Sequence, residues 1–199
     1  MTEMITGSAG ETGRAKRLKA ATHEIHERLD KRIMATDLFA SREIYGRFVL
    51  VQHAFHRDID ALYDSAALAE MLPDLAGRRR LPLIASDLED LGLAVPADEA
   101  ASALGVDADI PTALGWLYVA EGSNLGAAFL LKDAAKLDLG ETFGARHLAP
   151  APEGRGLAWR TFTAALDAVA LSEAEEQRVV AGAVAAFARV HGLVETLMP

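Results

Sequence analysis

Apolar residues recur at three- and four-residue spacing along most of this chain, and that spacing is typical of amphipathic α-helices. The stripe formed by Ile44, Phe48, Val51 and Phe55 is the clearest example. No alternation of apolar and polar residues is long enough to predict a strand. Hydrophobic residues make up 51% of the chain and aromatic residues 6%, so the core must consist mainly of Ala, Leu and Val. The sequence therefore predicts an all-α fold, a single bundle-like domain whose core is closed by the last helix.

Local signals predict where the helices begin and end. Ser41 and Ser172 can each cap a helix, and Glu175 follows Ser172 at capping-box spacing. Pro111 suits the first turn of a long helix that ends near Leu137. We expect a flexible leader over residues 1–13 and one domain over 14–199, with a connector at 91–111 and an ordered loop at 140–156. The predicted helices lie near 14–36, 41–62, 66–72, 78–91, 111–137, 157–169 and 173–197.

Charge and residue types exclude several classes of function. A net charge of −9 argues against a nucleic-acid partner, which needs a basic surface. The absence of cysteine excludes disulfides, iron–sulfur clusters and thiolate metal sites. The first residues lack the pattern of a signal peptide, and no run of about 18 apolar residues predicts a membrane span. We therefore expect a cytoplasmic protein with no membrane association.

Two pairs of histidines have the spacing that places both side chains on one helix face: His23 with His26, and His53 with His56. Two such pairs on neighbouring helices could hold a metal, although surface histidines are the simpler interpretation. No histidine has a glutamate three residues before it, which excludes a di-iron carboxylate site of the helical-bundle type.

His26 lies at the border of the apolar stripe of the first helix, and Lys19 precedes it by seven residues, about 10 Å along the helix. An imidazole and an ammonium group at this distance suit a flat ligand with a metal centre and anionic arms. Spacing alone favours the alternative, a border histidine beside an exposed lysine.

Gly122 and Gly126 stand four residues apart in the long apolar helix, where each costs about 1 kcal/mol relative to alanine. Gly115 extends the same line. The glycines predict either a tight seam against another helix, which spacing alone favours, or close approach of the backbone to a flat or bulky ligand. Ser123, between the glycines, could also serve only as a local hydrogen-bond donor to the backbone one turn earlier.

Four segments give these residues a context. They are AKRLKAATHEIHERLD (15–30), RFVLVQHAFHRDIDALY (47–63), ALGWLYVAEGSNLGAAFLLK (113–132) and FGARHLAPAPEGRGLAWRTF (143–162). Together they resemble haem oxygenases of the bacterial haem-degrading type, and the resemblance runs from about Arg14 to Phe187. It implies an all-α fold with haem between a proximal and a distal helix.

The resemblance also implies roles for individual residues. His26 would be the proximal ligand of the haem iron, with Glu24, Glu27 or Asp30 as the partner of its second ring nitrogen. The distal helix would cover the other haem face through Gly122, Ser123 and Gly126. The remaining implied site residues are Lys19 and Tyr118 at the haem propionates, and Gln52 and His56 in a distal water network.

The implied reaction is oxidative cleavage of haem to biliverdin, carbon monoxide and ferrous iron, with O₂ and an external electron donor such as a ferredoxin or a reductase. Haem is then both cofactor and substrate. Met34 and Asp133 replace lysines of relatives with altered regioselectivity, which favours attack at the α-meso carbon and biliverdin IXα. Val190 replaces an aromatic residue near the haem edge. The alternative function is a haem carrier or sensor without turnover. For Arg146 and His147 we expect partners among the loop carbonyls rather than a role at the distal helix or a redox partner.

Overall fold

The computed structural model describes residues 13–97 and 102–199, and these residues form helices joined by turns and loops. The α-helices are α1 (Arg14–Met34), α2 (Arg42–Ile59), α3 (Ala66–Met71), α4 (Leu81–Asp90), α5 (Ile110–Ala134), α6 (Arg155–Ala168) and α7 (Glu173–Leu197). Short 3₁₀ helices occupy Asp60–Asp64, Ala76–Arg78, Ala135–Leu137 and Arg146–Leu148. None of these residues forms a strand beyond isolated bridges at Gly140. The all-α prediction is confirmed, whereas the predicted leader, apart from Gly13, lies outside the described residues.

The helix ends follow the signals read from the sequence. The Ser41 hydroxyl accepts a hydrogen bond from the Ile44 amide at 3.2 Å, and Ser172 and Glu175 form both halves of a capping box. Pro111 lies in the first turn of α5, as predicted. The Asp109 carboxylate caps the same turn, accepting from the Thr112 amide at 3.1 Å, which the sequence analysis did not predict.

Helix α7 packs against α5, α1 and α2. Its contact with α5 is a glycine seam, because a Cβ at Gly115 would lie 2.2 Å from the Val179 carbonyl oxygen and a Cβ at Gly182 would lie 2.5 Å from that of Thr112. Within the described residues α7 is the one helix long and apolar enough to span a membrane by length and composition, and 44% of that apolar window is buried inside the protein.

Helix α1 is tied to α7 near both of its ends. At the start, the buried Arg14 guanidinium lies 2.8 Å from the Glu176 carboxylate and donates to the Val169 carbonyl at 2.7 Å. Near the end, Arg32 lies 2.8 Å from Glu195. These contacts fix both ends of α1, and within the described residues its middle, which carries His26, forms no ion pair with another helix.

The loop at 140–156 is ordered, as predicted, but Arg146 and His147 in this loop bind carboxylates of α4 and not the loop carbonyls that the sequence led us to expect. The fully buried Asp87 carboxylate of α4 accepts from the backbone amides of Arg146 and His147, each at 2.9 Å, and lies 2.7 Å from His147 Nδ1. Arg146 also pairs with Asp90. The expectation that these side chains bind loop carbonyls is therefore wrong, because the partners of Arg146 and His147 are the carboxylates of Asp87 and Asp90 on α4.

Candidate functional site

The middle of α1 faces an open part of the bundle. Helices α1 and α5 both pack against α6 and α7 but make little direct contact with each other. The His26 side chain is 55% exposed, and its ring meets the Phe187 ring of α7 edge-on, with 5.4 Å between the ring centres. One turn before Phe187, Val184 is 38% exposed. The α7 surface beside His26 is therefore apolar and only partly covered.

The Asp30 carboxylate is the acidic group beside Nδ1 of His26. His26 Nδ1 lies 3.1 Å from the Asp30 carboxylate one turn later, whereas Glu27 lies 3.3 Å from Nε2 of His23. The spacing alone left Glu24, Glu27 and Asp30 as alternatives. With Nδ1 directed to Asp30, His26 Nε2 has no hydrogen-bond partner among the described residues and is available to a ligand.

The two histidine pairs do not form one metal site. His53 and His56 are buried on α2, whereas His23 and His26 are exposed on α1. Across residues 13–97 and 102–199 no group of three or more histidine, aspartate or glutamate side chains is arranged to hold a metal ion. Any metal at His26 must therefore bring most of its own ligands.

The glycines of α5 divide into two kinds. Gly115 belongs to the seam with α7, where a side chain does not fit. A Cβ at Gly122 would meet only the Trp159 ring, at an ordinary 3.7 Å, and a Cβ at Gly126 would meet nothing within 4 Å. Packing therefore explains Gly115, and helix packing does not explain Gly122 or Gly126. The surface at Gly126 is open and the surface at Gly122 is bordered by the Trp159 ring, and at both positions the helix backbone is within reach of a bulky or flat ligand.

Two neighbours of these glycines have partners in the protein. The Ser123 hydroxyl donates to the Ala120 carbonyl at 2.7 Å, which is the local role that the sequence left open. Tyr118 is buried, and its ring packs against Trp159 of α6 with 5.6 Å between the centres. Burial raises the pKa of the Tyr118 hydroxyl. Lys19 is exposed on α1.

His56 of α2 is buried in a polar region that includes His53, His147 and Arg80. Burial, with smaller contributions from His147, Arg80 and His53, lowers the pKa of His56 to about 3, so its imidazole is neutral near pH 7. His56 Nδ1 has no hydrogen-bond partner in the described part of the chain. Gln52, one turn earlier on α2, is partly buried. A neutral histidine here can bind water but is not a strong acid.

Residues 12–196 match the family described as heme oxygenase. The chain belongs to the haem oxygenase family. It is 46% identical over 182 residues to Heme oxygenase PigA of Pseudomonas aeruginosa, a match that covers 92% of this chain and 91% of that protein. It superposes with a TM-score of 0.87 on the NO- and CO-bound heme oxygenase of Neisseria meningitidis, at 42% identity and over 94% of each chain. The heme oxygenase of Leptospira interrogans, at 17% identity and a TM-score of 0.74 over 93% of this chain and all of that one, shares the fold.

This haem oxygenase differs from the expected pattern at the positions noted in the sequence. Val190 is nearly buried, and the aromatic side chain on α7 that contacts His26 is Phe187, one turn earlier. Met34 is 80% exposed at the end of α1. Asp133 lies 2.6 Å from Lys136, so its charge is paired within the helix.

The sequence did not point to Phe187 or Trp159 as neighbours of the site, and it left Asp30 as one of three candidate partners of His26. Phe187 stands three residues before Val190 on the same face of α7, so the helical period was the signal that could have found it. Trp159 sits on α6, which no motif linked to Gly122. Asp30 lies four residues after His26, the spacing of a helical side-chain pair, whereas Glu27 has that spacing from His23.

Proposed function

We propose that this haem oxygenase binds haem between α1 and the glycine segment of α5 and cleaves it to biliverdin, carbon monoxide and ferrous iron. The observation that carries the proposal is the α5 surface without side chains at Gly122 and Gly126, together with a His26 Nε2 that has no hydrogen-bond partner among the described residues. The residues present fit the group. His26 would bind the iron, the two glycines would let the α5 backbone cover the opposite face, and Lys19 and Tyr118 would bind the propionates.

When bound, the haem supplies an iron that can bind O₂ and the porphyrin carbon that is oxidised. The protein residues hold and orient it. The Asp30 carboxylate lies 3.1 Å from His26 Nδ1 and would favour a proton on that nitrogen, which leaves Nε2 unprotonated for the iron. Phe187 restricts the ring from the side through its edge-on contact. Lys19 and Tyr118 would fix the rotation of the porphyrin and thereby choose the carbon that is attacked.

The distal side brings no strong acid to the reacting oxygen. Glycine has no side chain, and the carboxylate nearest in sequence, that of Glu121, lies 2.7 Å from Arg78 on the buried side of α5. The Ser123 hydroxyl donates to its own helix. Neutral His56, with Gln52, would bind water that delivers protons without an acidic side chain.

We further propose attack at the α-meso carbon, which gives biliverdin IXα, with electrons from a ferredoxin or a reductase in the cytoplasm. Met34 and Asp133 support the choice of carbon. Neither offers a positive charge to a propionate, and Asp133 is paired with Lys136. A haem rotated toward another carbon would need such a charge at one of these positions.

The test is a haem titration followed by addition of reductant and O₂. We expect a Soret shift at one haem per chain, then bilin absorbance and release of carbon monoxide. His26→Ala should abolish normal turnover, and His23→Ala, three residues away on the exposed surface, should behave like the parent. Soret absorbance without bilin would identify a haem carrier or sensor and defeat the proposed reaction. Normal biliverdin yield from His26→Ala would defeat the ligand assignment.

A further inference from the structure

The packing around α5 changes abruptly at Gly122. From Ala113 to Glu121 every residue is buried. From Gly122 to Asp133 only Ala127 is buried. The first half of the helix is therefore held by the core, and the half that would cover the haem is not.

An ion pair fixes the last residue of the packed half. Arg78 Nη1 lies 2.7 Å from the Glu121 carboxylate, and the two side chains are only 8% and 6% exposed. Arg78 also donates to the Pro73 carbonyl at 3.1 Å, and its guanidinium lies 5.6 Å from the centre of the Phe162 ring of α6. Glu121 is thus joined to the turn before α4 and to α6, which gives α5 a fixed point directly before Gly122.

A second arginine reaches the exposed half. Arg155, the first residue of α6, donates from Nη1 to the Asn124 carbonyl of α5 at 2.9 Å and from Nη2 to the Leu148 carbonyl. No carboxylate among the described residues lies within 4.0 Å of its guanidinium, so these two carbonyls are its partners. A cavity of about 330 Å³ borders Asn124, Leu125 and Arg155, which leaves this side of α5 with little packed protein.

We infer that Arg155 is a positioning residue of the reaction, which holds the part of α5 after Gly122 at a set distance from the haem through the Asn124 carbonyl. The inference rests on the proposed function for its catalytic consequence. Gly122 gives the helix a flexible point between two fixed ones, Glu121 and Asn124. Without the hydrogen bond from Arg155 to the Asn124 carbonyl, the exposed half of α5 can shift. A displacement of about 1 Å at a reacting centre can lower the rate about a hundredfold.

The first test uses the haem-free protein, so it does not depend on turnover. Hydrogen exchange followed by mass spectrometry compares the parent with Arg155→Ala, Arg155→Lys and Arg160→Ala. Arg160 is an exposed arginine of the same helix and serves as the matched control. Loss of a charged hydrogen bond should speed exchange over residues 123–133 about tenfold and leave residues 113–121 unchanged. Arg155→Lys should recover part of the protection, and Arg160→Ala should match the parent.

The second test uses the haem-loaded enzymes. Arg155→Ala should lower kcat at least tenfold and release a mixture of biliverdin isomers, whereas Arg155→Lys should move both values back toward the parent. Unchanged exchange in Arg155→Ala would overturn the inference. If Arg155→Ala exchanged faster but kept the kcat of the parent and released a single biliverdin isomer, the positioning role would be overturned. An equal effect of Arg160→Ala on exchange or kcat would overturn it as well. A parent protein that binds haem without releasing bilin would instead defeat the proposed function, and hydrogen exchange would still decide whether Arg155 holds α5.

Discussion

Gly126→Ala should change the stability of the haem-free protein and its affinity for haem in opposite directions. Gly126 lies inside α5, and a Cβ there meets nothing within 4 Å. Alanine in place of glycine in a helix interior contributes about 1 kcal/mol to the free energy of unfolding. For a chain of 199 residues this raises Tm by about 2–4 °C. If α5 covers the haem at this point, the same methyl group lies between backbone and porphyrin, and haem binding weakens.

Gly115→Ala is the matched comparison on the same helix. Its Cβ would lie 2.2 Å from the Val179 carbonyl oxygen, so the helices must separate, at a cost of about 1–3 kcal/mol and a lower Tm. The assays are thermal unfolding followed by circular dichroism and haem titration in the Soret region. Gly126→Ala should raise Tm without haem and weaken haem binding at least tenfold. A variant that gains stability and binds haem like the parent would refute the reasoning, because Gly126 would then face solvent alone.

Three further predictions concern the histidines and the anchoring of α1. Asp30→Asn should weaken the orientation of His26 and reduce haem affinity several-fold, measured by haem titration, whereas unchanged affinity would show that Asp30 is not its partner. Folding lowers the pKa of His56 from 6.5 to about 3, so the neutral buried histidine is tolerated fully above pH 6.5 and the protein loses stability as the pH falls toward 3. His56→Gln should reduce this loss of unfolding free energy at acid pH, measured by urea unfolding. An unchanged pH dependence would contradict the prediction. Arg14→Ala should lower the free energy of unfolding by about 2 kcal/mol, because the buried guanidinium binds Glu176 and backbone carbonyls, and a loss below about 0.5 kcal/mol in the same assay would refute this.

The helices could be predicted from the sequence because the signals that make them are local. The apolar period of α2, the Ser41 cap and the Ser172–Glu175 capping box each involve residues within one or two turns. The partners of Arg146 could not be predicted in this way, since Asp87 lies 59 residues earlier in the chain and no pattern links the two. Long-range ion pairs need the fold before they can be assigned.

At the candidate site, too, the sequence predicted the local arrangement of residues but not their contacts with other helices. Helical spacing placed Gly115, Gly122 and Gly126 on one line, but a line of residues on one helix does not state what lies against it. Only the crossing of α5 and α7 shows that Gly115 is packed while Gly126 is open. The choice of His26 came from its family resemblance, and its free Nε2 became visible only when Asp30 was placed beside Nδ1.

The most direct test of the central proposal is a crystal structure of the ferric haem complex. We expect the iron bonded to His26 Nε2, with His26 Nδ1 still beside Asp30, and the opposite porphyrin face against the backbone of Gly122 and Gly126. Iron bound by a different histidine, or a porphyrin that does not lie between α1 and α5, would contradict the account.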